Sequence, residues 1–338
     1  MNDNILKSVS DLVEIAGTLP DTTVLIPGGD RVEDIKLVDA ARDRGIIKRA
    51  ILVGSKKRIV ENAAKLAIDI NHEDIVDVDG EQQIGQMTVE MVNAGEVDIV
   101  LKGGISTPVI NRAMLKLAVK PTASLASIFD ASQISDGRPM VLTDAGMTTV
   151  CNSDRMVDII NNAVEVAQTV MGIAKPKVAV LSANEKQIPS LASTSMGLEL
   201  SKLNWNDALV CGPLSFDLAM APDSVITKGM PDLPNAEEVT GKADILVCPG
   251  IDSANILYKT IASLAKYGDA SIAGITMGFN VPYIILSRSD SLATRLESVA
   301  LCSIYAHRQH GHKANSPAIK DSHVNDIGLP MTTTEQSY

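Results

Sequence analysis

The sequence predicts an α/β protein built around a mainly parallel sheet. Three observations carry this reading. Aliphatic runs recur along the chain, each is followed by a turn bearing Gly or Ser, and most turns lead into a stretch with helical spacing. The runs are continuous rather than alternating, as strands are when helices cover both faces of a parallel sheet. Aromatic residues make up only 3% of the 338 residues, so the core must be built from Ala, Val, Ile, Leu and Met.

The elements follow in order. "TVLIPGGD" leads into "RVEDIKLVDAARDRG", "RAILVGS" into "KKRIVENAAKLA", and "VDIVLKGGIST" into "PVINRAMLKLAV". "PMVLTDAGM" precedes "SDRMVDIINNAVEVAQTVMG", and "KVAVLSAN", "ALVCGPLSFD", "ADILVCPGID" and "YIILSRSD" continue the series. The helix from about Ser153 to Val170 is the clearest: Met156, Ile159, Ile160, Ala163, Val164 and Ala167 recur at helical spacing. Ser153 reads as its N-cap and Gly172 as its stop. In such sheets ligands collect beyond the carboxyl ends of strands, where turns and helix N-termini present free N–H groups. Here those ends carry Gly28 and Gly29, Gly103 and Gly104, Gly212, Gly250 and a cluster at Ser287.

Composition and charge narrow the function. With 45% hydrophobic and 21% charged residues, the chain suits one large or two medium domains. A net charge of −11 argues against nucleic acid or an anionic membrane as partner. Every apolar run is too short for a bilayer span, and "MNDNILKSVSDLVEI" has no basic segment leading into an apolar one. Four scattered cysteines, Cys151, Cys211, Cys248 and Cys302, fit a reducing compartment, so a cytoplasmic location is expected. Cys211 and Cys248 end apolar strands and read as buried thiols rather than nucleophiles. The Gly-x-Gly-x-x-Gly, Walker, Gly-x-Ser-x-Gly and His-Glu-x-x-His patterns are all missing, which removes the usual support for dinucleotide dehydrogenases, nucleotide hydrolases, serine esterases and zinc peptidases. Asp154 and Asp158 share a helix face, but acidic residues are favoured in a first turn anyway, and no metal requirement is expected. The histidines His307, His310, His312 and His323 fall in or beside a polar tail that reads as solvated.

Two stretches concentrate chemistry. "VPYIILSRSDS" ends a buried strand in a hydroxyl, a permanent cation and a carboxylate: Ser287, Arg288 and Asp290. Asp290 also stands where a helix N-cap is expected, so base and cap remain open for it. "LKGGISTPVINR" ends a strand at Lys102, follows it with Gly103 and Gly104, and places Thr107 where a helix would begin. Backbone N–H groups with Lys102 and Thr107 would make a phosphate cradle, and Arg112 follows about a turn and a half later. In so acidic a chain, an anionic ligand requires such locally gathered cations.

Five blocks, "LKGGIST", "VLTDAGM", "GPLSFD", "TGKADILVCPGIDSANILYK" and "VPYIILSRSDS", resemble in order and spacing the phosphate acetyltransferase and phosphate butyryltransferase family, the butyryl branch more closely. The resemblance runs from about Lys102 to Ala306. It implies two α/β domains of the isocitrate/isopropylmalate dehydrogenase kind with a cleft between them. The expected division is residues 1–135 with 274–308, residues 136–273, and a polar tail at 309–338. It also implies a homodimer, and reversible acyl transfer between coenzyme A and phosphate with CoA as substrate and no cofactor. Ser287 and Arg288 match the family's working Ser-Arg pair, and Arg112 an arginine that faces phosphate. Asp144, Asp217 and Asn255 match family positions, although a strand-end Asp such as Asp144 or Asp217 also caps helices. Three departures stand out: Cys211 where Asp is common, Ala254 for a Gly, and Ala293 and Thr294 where a downstream acid is expected. They keep open a second reading, a non-catalytic protein that binds CoA or acyl phosphate. Met147, Leu214 and Met277 are the positions where a wall for the acyl chain would be sought.

Overall fold

The computed structural model describes residues 5–287 and 290–315, with side chains as far as Gln309. The chain runs α1 (Asp11–Gly17), β1 (Thr23–Pro27), α2 (Val32–Asp43), β2 (Arg49–Gly54), α3 (Lys56–Leu66), β3 (Ile75–Asp77), α4 (Glu81–Asn93), β4 (Ile99–Leu101) and α5 (Thr107–Leu115). It continues through β5 (Ser124–Ala131), α6 (Ser132–Ser135), β6 (Met140–Thr143), α7 (Ser153–Thr169), β7 (Lys177–Leu181), α8 (Ala192–Ser201), β8 (Leu209–Leu214), α9 (Phe216–Met220), α10 (Pro222–Lys228) and α11 (Ala236–Val239). It ends with β9 (Ile245–Val247), α12 (Ile251–Tyr267), β10 (Ala270–Met277), β11 (Tyr283–Ile284) and α13 (Leu292–Asn315).

Among the described residues, eleven strands form one sheet in the order β3-β2-β1-β4-β11-β10-β5-β6-β9-β7-β8. β3 to β11 are mutually parallel, and so are β6, β9, β7 and β8. β10 is antiparallel to both β11 and β5, and β5 is antiparallel to β6. Three reversals between β11 and β6 leave the two parallel groups running in opposite senses. The expected α/β class and mainly parallel sheet are present, with an antiparallel seam at the centre. The domain limit expected at 273/274 falls inside β10.

Three strands are not revealed by the aliphatic runs: the short edge strand β3 and the seam strands β5 and β10. "SLASIFDA" and "ASIAGITM" are rich in Ala, Ser and Gly, residues poorly represented in strands, and long-range pairing rather than propensity makes them extended. α7 begins where its periodicity places it, but its cap is Asn152, whose Oδ1 accepts the N–H of Arg155 at 3.1 Å. Gly172 follows with φ +73°, a conformation that glycine adopts readily. α13 continues through Asn315, beyond the tail start expected at 309.

Alternation along the strands sends side chains to opposite faces. On one face a single core runs the length of the sheet, with Leu52, Ile26, Leu101, Ile284, Ile275, Ile128, Val141, Val247 and Val180 packed under α2, α7 and α13. On the other face the core is broken in two. Leu25, Ile51, Val100 and Tyr283 pack under α4 and α5. Phe129, Leu142, Leu246, Ala179 and Ile272 pack under α9, α11 and α12. The break lies between Tyr283 of β11 and the Phe129–Ile272 ends of β5 and β10. There the hydroxyls of Ser127 (0% exposed) and Thr276 (1%) are buried without a hydrogen-bond partner among the described residues.

Candidate active site

β4 and β11 lie side by side, and the Lys102 N–H donates to the Ile284 carbonyl at 3.0 Å. Their carboxyl ends therefore bring Lys102 and the half-buried Ser287 to one place. α5 is pinned to the same strand, because the Tyr283 hydroxyl donates to Asn111 Oδ1 at 3.0 Å. Ser287 is tied to Asp290 by two hydrogen bonds. Asp290 Oδ2 accepts the Ser287 N–H at 2.6 Å, and the Asp290 N–H donates to the Ser287 carbonyl at 3.1 Å. Ser291, rather than Asp290, caps α13: its Oγ accepts the Thr294 N–H at 3.1 Å. The cap alternative for Asp290 thereby falls away. Burial pushes the Asp290 carboxyl up, opposed by the Ser287 N–H and by the charges of Lys259 and Arg295. Arg288 lies outside the described residues.

α12 faces this turn from the other half of the sheet. Asn255 Nδ2 donates to the Ala145 carbonyl at 2.9 Å, tying the helix to the loop after β6. Four residues on, Lys259 Nζ stands 5.2 Å from the Tyr258 ring centroid, a cation–π distance. Burial, then the charge of Asp290, raises the Tyr258 phenol. Lys259, Asp290, Ser291 and Thr294 line one small hollow. Ala254, the departure from glycine, is fully buried in the core under α12.

Other expected residues take different roles. The Asp144 carboxylate accepts four backbone N–H groups, from Leu125, Gly146, Met147 and Thr148 at 2.8–3.1 Å. It builds the loop that carries Met147, and burial raises its pKa against those bonds. At Gly103 the chain passes close to another segment. The Gly103 N–H donates to Pro27, that of Gly104 to Gly28, and a Cβ on Gly103 would lie 2.6 Å from the Gly28 carbonyl oxygen. Close chain crossing, rather than a ligand, requires glycine there. The Glu81 carboxylate accepts both the N–H and the Oγ of Ser106, at 2.8 and 2.5 Å, at the start of α5. Most of the backbone cradle read from "LKGGIST" is thus spent within the chain, leaving side chains as the cation source: Lys102, half-buried, with Thr107 and Arg112 exposed on α5.

Asp217 is not brought to this place. It lies beyond β8, six sheet positions from β11, in an ion pair with Lys228 at 2.6 Å. Hydrogen bonds from Lys228 and Ser215 hold its carboxyl down at about 2. Cys211 is fully buried in β8 and pushed up to about 12 by burial, as is Cys248, which makes both inert packing groups. Of the acyl-wall positions, Met277 faces the continuous core and Leu214 the interior of the second one. Met147, half-buried, packs between the halves against the cluster that holds Ile285. Among the described residues, no group of three or more His, Cys, Asp or Glu is placed to hold a metal ion, and no helix is long and apolar enough to cross a membrane.

One residue at the turn has no signal in the motif. Arg295, in the second turn of α13, reaches back to the carbonyls of Asp290 and Ser287. Its only mark in the sequence is a basic residue near the start of a helix, where the dipole disfavours it.

The family model described as phosphate acetyl/butaryl transferase matches residues 82–303. The phosphate butyryltransferase of Clostridium acetobutylicum is 33% identical over 284 residues, covering 81% of this chain and 91% of that protein. The phosphate acetyltransferase of Thermotoga maritima is 33% identical over 264 residues, covering 76% and 86%. Among solved structures, a branched-chain phosphotransacylase from Enterococcus faecalis superposes with a TM-score of 0.71 at 30% identity, covering 85% of this chain and 99% of that one.

Proposed function

Because the chain belongs to the phosphate acetyl/butaryl transferase family, we propose that it is a phosphate acyltransferase, moving a short-chain acyl group reversibly between CoA and inorganic phosphate. One observation carries the reading beyond family membership: the pairing of β4 with β11 puts Lys102 and Ser287 just beyond adjacent strand ends, with the Asp290 carboxylate accepting the N–H of that serine.

Transfer is direct, within a ternary complex. In one direction a phosphate oxygen attacks the thioester carbonyl; a C–O bond forms, the C–S bond breaks, and CoA leaves as thiolate. In the other, the thiol loses its proton and the thiolate attacks the acyl phosphate, expelling phosphate. Two anions must meet while charge grows on the carbonyl oxygen, so fixed cations and positioning supply most of the acceleration. Lys102 and Arg112 gather phosphate with Thr107, and Arg288 adds a fork suited to it. Ser287 donates to the developing negative charge. Asp290 takes the thiol proton and returns it in reverse, a role that its burial-raised pKa favours. Asn255, fixed to Ala145, borders the CoA side. Asp144 acts on this site through its loop. The working form is proposed to be a cytoplasmic homodimer with no cofactor, and its two domains are proposed to meet at the central seam.

Phosphate-dependent release of free thiol from acetyl-, propionyl- and butyryl-CoA tests the activity. Absence of release from all three, with CoA still bound, would replace it with the non-catalytic CoA-binding reading that Cys211, Ala254 and the missing downstream acid keep open.

A further inference from the structure

Arg295 is 6% exposed, an unusual burial for a guanidinium. Its Nε donates to the Asp290 carbonyl at 3.3 Å and its Nη2 to the Ser287 carbonyl at 3.4 Å. Its Nη1 is buried with no hydrogen-bond partner among the described residues. A cation enclosed this way needs a counter-charge. Asp34, 1% exposed on α2, lies close enough for the two charges to interact. Asp34 is in turn gripped by Arg31, whose Nε and Nη2 both stand at 2.8 Å from its oxygens. The Arg31 stem lies against the β4 turn, where a Cβ on Gly104 would be 3.3 Å from Arg31 Cγ.

We infer that Arg295 is a positioning residue: from inside the fold it fixes the carbonyls of Ser287 and Asp290, with the Asp34 carboxylate as a nearby counter-charge. This deepens the acyltransferase reading and rests on it for its consequence in turnover. The guanidinium plane is what the geometry uses. Two donors on one rigid fork bridge two carbonyls that are three residues apart, whereas a lysine ammonium is a single point on a flexible stem. The serine's main chain is thus set from below by Arg295 and from the side by Asp290, so its hydroxyl inherits its position from a group that never touches substrate.

The test uses the full chain with Arg295→Lys, which keeps the charge and loses the fork, and Asp34→Asn, which keeps the shape and loses the counter-charge. Arg295→Lys is expected to lower kcat by roughly 10- to 100-fold while KM for phosphate and for acyl-CoA moves less than about threefold, the pattern of a misplaced reacting group. Asp34→Asn should do the same more weakly. Amide hydrogen exchange is the second readout: the N–H groups of Ser287 and Asp290, both bonded within the turn, should exchange faster in both variants while those of β5 and β10 do not. Wild-type turnover in folded Arg295→Lys overturns the inference, and so does a loss shared by amides throughout the molecule. Should Arg295→Lys fail to fold, Asp34→Asn decides by the same criteria. If the wild-type chain releases no thiol at all, the acyltransferase reading fails, and local exchange alone then decides whether Arg295 holds the turn.

Discussion

The two faces of the sheet are built to different rules. One carries an unbroken aliphatic core from β2 to β7, with Ile26, Ile275, Ile284 and Val247 each under about one hundredth exposed. The other is interrupted over parts of β10 and β5, and there the residues turn small or polar: Gly274, Ser127 and Thr276. Each fully buried aliphatic side chain stabilises a fold by about 1.5–3 kcal/mol. A face that gives up such groups gives up stability. What it leaves is a gap in the apolar layer between the parts under α5 and α12, and Lys102 and Ser287 lie just beyond the adjacent ends of β4 and β11. The division teaches that, in this molecule, cohesion and the candidate site fall on opposite sides of the same strands.

Four changes would break or sharpen that division. The largest effect is expected from Ser287→Ala, which should reduce kcat by roughly 10²- to 10³-fold, as loss of one donor to developing charge does. The urea midpoint should stay at the wild-type value, and a drop in stability instead would place Ser287 with the structural side. Next, Ile275→Ala on the continuous face should cost about 2–5 kcal/mol of unfolding free energy, with normal specific activity in the folded fraction. A lowered kcat there would show that the faces are not separable.

Glu297 offers a pH handle on the continuous side. Burial, and then the neighbouring Asp130, push its carboxyl up to about 7. The folded protein therefore holds a proton that the unfolded chain releases near pH 4.3. Stability should fall as pH rises from about 4.3 to about 7, by up to about 3 kcal/mol, and level off above that window. Glu297→Gln should flatten this slope in urea titrations at several pH values; an unchanged slope would assign it to other groups. The smallest effect is expected at Met147, half-buried between the halves. Met147→Ala should cost under about 1 kcal/mol of stability and shift the butyryl-to-acetyl ratio of kcat/KM by roughly 3- to 30-fold, the worth of one or two methylenes in an apolar site. An unchanged ratio would remove Met147 from the acyl wall.

The parts that were legible in the sequence are those encoded locally. The aliphatic runs announce eight of the eleven strands, and periodicity places α7. The placement of Lys102 and Ser287 at adjacent strand ends was not legible, since nothing local says that β11 joins β4. The seam strands β5 and β10 escaped because Ala, Ser and Gly read as loop or helix, and only pairing across long separations makes them strands. Asp144 and Asp217 look alike in sequence, yet one organises a buried loop and the other pairs with a lysine at the far edge of the sheet. Asp290 and Ser291 are neighbours with the same capping chemistry, and a shift of one residue in the helix start decided between them. Arg295 was invisible because its work depends on a helix folding back over its own entry turn.

The pairing of β5 with β10 runs without a break from Ala270 opposite Ala131 to Met277 opposite Ser124. Because strand residues alternate, inserting or deleting one amino acid in either strand would exchange the two sides wholesale. Ile275 and Ala126 would be thrust into the opening, and the hydroxyls of Ser127 and Thr276 into hydrocarbon. This segment can therefore drift in composition but not in length. Indels should be tolerated around it, in the turns at Asp136 and Asn280, and be lethal within.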